Sequence, residues 1–253
     1  MGRASDHDVG MTSLQGRRIL ITGATSGIGR ATAEAVAAAG GRVALLARSE
    51  DDVHALAGEL GEASVAAPAD VTDADDVARA VAAAADGLGG LDGVVCSAGA
   101  VRPGGILQTT PDDWRATFEV NVLGVLHVVG AALPHLRASE LADVVNISSM
   151  SGRRRASVAM GIYSASKFAV HVLSDSLREE LAPEGVRVTI VSPGYVRTPI
   201  FDGVADDELR PEYQRRLATV GLDPEAVAAQ VVHALSQPAG VDLLEVAVLS
   251  TRQ

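Results

Sequence analysis

The sequence predicts an α/β protein built on one doubly wound, mainly parallel sheet with helices on both faces, and three observations lead there. Short apolar runs alternate with longer alanine-rich or amphipathic stretches along most of the 253 residues. The runs are continuously apolar rather than alternating, which implies strands buried on both sides under helices. The first run also leads directly through a glycine-rich turn into a helix, a strand–turn–helix context in which such a loop can wrap a phosphate.

Taken in order, Arg18 to Thr22 reads as the first strand and Arg30 to Ala39 as a helix closed by Gly40-Gly41, since glycine commonly ends a helix. Val43 to Ala47 is the second strand. Ser49 then caps a helix reaching Leu60, with Glu50, Asp51 and Asp52 in its first turn, where carboxylates suit the positive end of the helix dipole. Ser64 to Ala67 is a strand, Asp73 to Ala85 a helix, and Leu91 to Cys96 a strand. One long helix is expected from Asp112 to Leu136, then a strand from Asp143 to Ser148, a helix from Ile162 to Leu181 and a strand from Arg187 to Val191. Pro199 to Val220 reads as irregular and charged, Pro224 to Leu235 as the last helix, and Leu243 to Leu249 as the last strand. No linker or fixed-period repeat divides the chain, so residues 14–253 are expected to form a single domain behind a flexible leader of residues 1–13. In doubly wound sheets ligands lie beyond the carboxyl ends of the strands. The functional loops should therefore follow Thr22, Ala47, Cys96, Ser148 and Val191.

The composition narrows the class of partner. A formal charge of −11, from 32 acidic and 21 basic side chains, argues against nucleic acid, which is bound through clustered positive charge. No run of about 18 apolar residues predicts a membrane span. The one cysteine, Cys96, excludes an internal disulfide framework and fits a reducing, cytoplasmic setting.

Two features carry chemistry. The only lysine of the chain, Lys167, stands four residues after Tyr163 in a predicted helix, so the two share one face. An ammonium beside a phenol favours the phenolate and is expected to lower the tyrosine pKa, making Tyr163 a proton donor and acceptor for an alcohol or ketone. The loop Thr22-Gly23-Ala24-Thr25-Ser26-Gly27-Ile28-Gly29 lets the backbone approach a pyrophosphate at a helix N-terminus, which points to a dinucleotide. At the end of the second strand stands Arg48 rather than an acid. An arginine there can meet a 2′-phosphate, so NADP(H) is expected over NAD(H).

In these motifs the chain resembles the short-chain dehydrogenase/reductase family, in its short single-domain branch, from about Gly16 onward. Thr22 to Gly29 is similar to the family's TGxxxGIG loop, Asp70-Val71 to the pair that holds the adenine ring, and Asn121 to its helix asparagine. Ser149 corresponds to the catalytic serine, Tyr163 with Lys167 to YxxxK, and Pro193-Gly194 with Thr198 to the loop packed on the nicotinamide. The resemblance implies a Rossmann-like domain with Asn121, Ser149, Tyr163 and Lys167 catalytic. It implies a cofactor site made by Gly23, Thr25, Ser26, Gly27, Ile28, Gly29, Arg48, Ser49, Asp70, Val71, Cys96, Ala98, Gly99, Tyr163, Lys167, Pro193, Gly194, Val196 and Thr198. In the implied reaction a ketone is reduced to a secondary alcohol, or the reverse, with NADP(H). Tyr163 is the acid or base, Lys167 lowers its pKa and holds the nicotinamide ribose, Ser149 donates to the carbonyl oxygen, and Asn121 positions a water that links Lys167 to solvent. A bracing role for the Asn121 amide is compatible with this. The family also implies a homo-oligomer, dimer or tetramer, through the helices Asp112 to Leu136 and Ile162 to Leu181. A dinucleotide sensor without catalysis, and an epimerase or dehydratase, are the competing functions on the same fold.

Two departures stand out. Cys96-Ser97-Ala98-Gly99 replaces the family's NNAG, so the bracing of two asparagine amides must come from elsewhere, such as the Ser97 hydroxyl or the backbone. Ser149 also lies fourteen residues before Tyr163, one more than is usual, which makes Ser151 its competitor; the spacing to Gly152 favours Ser149. Substrate walls are expected in Ala100 to Gly105, Met150 to Ile162 and Tyr195 to Val220. The run Arg153-Arg154-Arg155 reads as a solvated face, with an acidic substrate group as the alternative. The last ten residues resemble those of hydroxy-acid and clavulanate-type dehydrogenases, and the alanine- and arginine-rich composition is compatible with a polyketide-type ketoreductase of secondary metabolism.

Overall fold

The computed structural model describes residues 13–154, 157–202, 204, 206 and 209–253. Seven strands, β1 (Arg18–Thr22), β2 (Arg42–Leu46), β3 (Ser64–Ala66), β4 (Gly93–Cys96), β5 (Ala142–Ile147), β6 (Val186–Pro193) and β7 (Glu245–Val248), form one sheet in the order 3-2-1-4-5-6-7. Every neighbouring pair is parallel. The leader expected over residues 1–13 lies, except for exposed Ser13, outside the described residues.

Period-two alternation supplies both layers of the core. Leu20, Ala44, Leu46, Val94 and Val144 face one side, against α3 (Ala74–Leu88) and α5 (Gly124–Leu136). Ile19, Ile21, Val43, Leu45, Val95 and Val145 face the other, against α1 (Gly27–Ala38), α2 (Glu50–Leu60) and α8 (Pro224–Leu235). Local signals set the helix starts. Ser49 accepts from the Asp52 amide, Asp73 accepts from the amides of Asp75 and Asp76, and Thr110 with Asp113 forms a reciprocal capping box before Pro111.

The amino ends of the central strands are tied by charge. Asp143 at the start of β5 accepts two hydrogen bonds from Arg187 of β6, at 2.8 Å each, and a third at 2.8 Å from Arg17 just before β1. Arg187 also donates to the carbonyls of Gln237, Pro238 and Val241. Arg18 donates to Asp92 before β4.

Two expectations are corrected. The helix foreseen over Asp112 to Leu136 is α4 (Pro111–Phe118) and α5, joined by a π turn at Glu119–Leu123. No run of 18 consecutive apolar residues occurs there, yet an 18-residue window within Pro111–Leu136, with mean hydropathy 1.6, is long and apolar enough to cross a membrane. Here Val125, Val128, Val129, Ala132 and Leu136 bury its apolar side in the core. The stretch Pro199 to Val220 is not irregular throughout, because Leu209–Val220 forms α7. Its apolar stripe is narrow, with buried Tyr213 and Leu217 one turn apart, and Tyr213 stacks on Phe201 at 4.5 Å between ring centroids. The last long helix before β6, α6 (Gly161–Leu181), begins where expected to within a residue.

Candidate active site

The loops at the carboxyl ends of β1, β2, β4, β5 and β6 line two adjoining cavities. The larger, about 1040 Å³, runs from the glycine loop past Arg48, Ser49, Asp70, Val71 and Ala98. The smaller, about 470 Å³, lies beside Ser149, Tyr163 and Lys167. Ile28, Gly99 and Thr198 border both.

Close backbone approach explains the glycine loop. A Cβ on Gly29 would lie 2.2 Å from the Gly23 carbonyl oxygen, and one on Gly23, which has φ +64°, would lie 3.0 Å from the Ala98 backbone. Gly27, at φ +50°, sits where a side chain would meet Thr198. The loop is therefore pressed against both the β4 and β6 loops. The bracing lost with the two asparagines comes from Thr22, whose hydroxyl accepts from the backbone amides of both Ser97 and Ala98 at 3.0 Å. Of the two expected substitutes, the Ser97 hydroxyl and the backbone, it is the backbone that is used, through the Ser97 and Ala98 amides.

On the far side of the cleft, Asp70 accepts from the amide and hydroxyl of Thr72, at 2.9 and 2.8 Å, fixing the turn that presents Val71. Arg48 is exposed and makes no ion pair among the described residues, although Asp52 also lines the cleft. Glycine amides at a helix start, Val71 in the cavity lining and an exposed guanidinium suit an elongated phosphate-bearing ligand. Cys96 does not belong to this set. Its side chain is buried in the core beneath the sheet face, borders neither cavity, and its thiol is pushed up to about 12 by burial.

The second cavity is built around α6. Tyr163 is the third residue of that helix and Lys167 follows one turn later, with the Lys167 Nζ 5.9 Å from the Tyr163 ring centroid. Ser149 lies at the start of the turn Met150–Gly152, accepts from the Ser151 amide at 3.1 Å, and lines the smaller cavity together with Tyr163. Both competing serines line this cavity, and Ser149 is the one that acts on the Tyr163 phenol. Lys167 is buried and donates to the Ile147 carbonyl at 2.8 Å.

The expected acid shift of the tyrosine is reversed. Burial pushes Tyr163 up to about 12, opposed by the nearby Ser149 hydroxyl. Burial also lowers Lys167 to about 8, with Cys96 opposing. The spacing correctly makes neighbours of the two groups, but desolvation sets the direction of both shifts.

Asn121 is fully buried within the π turn and borders neither cavity. Its Oδ1 accepts from the Ala100 amide at 2.8 Å, and its Nδ2 donates to the Ala100 carbonyl at 2.9 Å and to Ser166 Oγ at 3.0 Å. The amide is spent on bracing the β4 loop against α6. The π turn adds a residue at this point, a device often found at functional sites.

Pro193, Gly194, Val196 and Thr198 close the opposite wall, and Val101, Met160, Phe201 and Leu217 make an apolar one. Gln253 and Arg216 also border this cavity, and nothing in the sequence singles them out. The Gln253 side chain seats against Gly194 and accepts from the Tyr195 amide at 3.0 Å. Of the arginine run, Arg154 reaches the cavity, Arg153 pairs with Glu245 at 3.0 Å, and Arg155 lies outside the described residues.

Residues 17–209 match the family model described as short chain dehydrogenase. The chain belongs to that family. It is 37% identical over 239 residues to an uncharacterized oxidoreductase of Staphylococcus haemolyticus, covering 94% of this chain and 99% of that protein. Among solved structures, a short chain dehydrogenase from Burkholderia cenocepacia in complex with NADP is 32% identical, with a TM-score of 0.82 over 93% of this chain and 97% of the other. A 3-ketoacyl-(acyl-carrier-protein) reductase from Brucella melitensis complexed with NADH is 27% identical, with a TM-score of 0.84 over 95% and 99%.

Proposed function

We propose that this chain is an NADP(H)-dependent oxidoreductase that interconverts a ketone and a secondary alcohol. The observation that carries the reading is the convergence of Ser149, Tyr163 and buried Lys167 on the smaller cavity, where it meets the larger cleft. The glycine loop would hold the pyrophosphate, Val71 the adenine, Arg48 the 2′-phosphate, and Lys167 with Tyr163 the nicotinamide ribose. The preference for NADP(H) comes from Arg48, since related structures hold either cofactor. Bound there, the nicotinamide supplies or accepts hydride.

The chain's own groups handle the proton and the charge. With its pKa pushed up to about 12, Tyr163 is protonated at neutral pH and acts as the acid in reduction. Ser149 donates to the carbonyl oxygen as negative charge grows there. In the reverse direction Tyr163 must first lose its proton, so alcohol oxidation should rise as pH increases. Pro193, Gly194 and the apolar wall exclude water from the reacting carbon.

The test is NADPH consumption with a panel of ketones. Replacing Tyr163 by Phe should lower turnover by at least about a hundredfold, with a smaller loss of NADPH affinity from the one missing ribose hydrogen bond. Near-normal turnover in that variant refutes the role. The exposed Leu123 at the end of the π turn and the exposed Phe168 and Val172 on α6 support self-association through these helices, which light scattering would check against a monomer.

A further inference from the structure

The smaller cavity runs against the charge of the chain as a whole. The sequence carries 32 acidic and 21 basic side chains. Yet among the described residues no Asp or Glu side chain lines this cavity, while Lys167, Arg154 and Arg216 all do. Lys167 is engaged at the inner end through its bond to the Ile147 carbonyl. The two arginines come from segments far apart in sequence, the loop after Ser149 and helix α7.

Their partners differ. Arg216 donates to Glu212 at 2.7 Å, one turn back on an exposed helix face, and lies 3.4 Å from the Tyr195 hydroxyl. Arg154 makes no ion pair among the described residues, whereas neighbouring Arg153 is held by Glu245. General surface charge would scatter acids and bases around the rim alike. What is found is a guanidinium with free donors at a cavity otherwise walled by Val101, Met160, Phe201 and Leu217. A guanidinium offers a planar fork that matches a carboxylate.

We propose that the substrate is an organic anion, a ketone or secondary alcohol bearing a carboxylate on a short carbon chain. Arg154 anchors the carboxylate, Arg216 adds a second cation, and the apolar wall holds the chain that separates it from the reacting carbon. This inference builds on the oxidoreductase reading above. The carboxylate takes no part in the bond changes: the carbonyl carbon gains a hydride, its oxygen gains the Tyr163 proton, and each turnover consumes one NADPH and one proton from solution.

The test measures kcat/KM of the full chain with NADPH for a short 3-oxo acid and for its methyl ester, and reads the acid-to-ester ratio. The wild-type ratio should be well above one. Arg154→Gln should lower it by about tenfold or more, the effect of losing one charge-assisted hydrogen bond, and the loss should appear in KM for the acid. Arg153→Gln serves as the control, because Arg153 does not border the cavity, and should leave the ratio in place. A wild-type ratio near one, or an equal fall in both variants, overturns the inference. Turnover of neutral ketones alone also overturns it while leaving the oxidoreductase reading intact; failure of folded protein to reduce any member of either series counts against both.

Discussion

Replacing Lys167 by Met removes an ammonium that the fold holds against its preference for water. Burial lowers the lysine pKa from 10.5 to about 8, with Cys96 opposing the shift. At roughly 1.4 kcal/mol for each tenfold difference, keeping that charge buried costs the fold about 3 kcal/mol at neutral pH. Because the folded value lies below the unfolded one, the cost is fully present below pH 8. It fades as pH rises toward 10.5, so wild-type stability should climb through that window. Methionine has similar length and no charge, but it gives up the 2.8 Å bond to the Ile147 carbonyl, a loss of about 1–2 kcal/mol. The variant should therefore be more stable than wild type by about 1–2 kcal/mol at neutral pH, with the gap closing near pH 10. The assay is urea unfolding followed by fluorescence of the single tryptophan, Trp114. Tyr163 sets the upper limit of the comparison. Its folded value is raised from 10.0 to about 12, so its stabilising contribution is complete below pH 10 and is lost as pH rises further. A variant less stable than wild type at neutral pH, or a gap that does not change with pH, refutes the reasoning. Turnover should fall sharply in the same variant, a case of stability given up for function.

Three further outcomes are expected. Arg48→Asp should weaken NADPH binding far more than NADH binding in a titration; equal losses would remove the 2′-phosphate assignment. Gly29→Ala places a Cβ 2.2 Å from the Gly23 carbonyl oxygen and forces the loop to move by roughly an ångström, enough to cost on the order of a hundredfold in cofactor-dependent turnover; a variant with wild-type kcat/KM would show that the loop tolerates the shift. Asp143→Asn takes the charge from between Arg17 and Arg187 and should destabilise by about 3–5 kcal/mol, read as a lower urea midpoint, with kcat/KM at moderate temperature little changed.

The sheet was legible because its strands are continuously apolar, and the cap residue Ser49 marked a helix start from side-chain chemistry alone. The π turn at Asn121 was not legible, because a one-residue shift in hydrogen-bond register leaves hydrophobic spacing almost intact. Helix α7 was hidden by its charge, since Tyr213 and Leu217 form too thin a stripe to stand out among Arg210, Glu212, Arg215 and Arg216. In the candidate site, local spacing brought Tyr163 to Lys167 and the strand-end rule brought Ser149 to them. Spacing failed for the tyrosine pKa, because it counts a neighbouring charge and not the loss of water around the phenol. Cys96 was misassigned through its place in the NNAG-like turn, where strand alternation directs its side chain into the core. The roles of Thr22, Arg216 and Gln253 depend on contacts between segments far apart in the chain, which no local pattern encodes.

The ties among Arg17, Arg187 and Asp143, and between Arg18 and Asp92, all sit at the end of the sheet where the strands begin. Durability and reactivity are therefore housed at opposite poles. Changes at the mouth can retune which molecule is accepted without loosening the frame, while reinforcement at the base can raise thermal tolerance without disturbing selectivity. An engineer can thus harden and respecialise the enzyme in separate campaigns and combine the winners with little mutual interference.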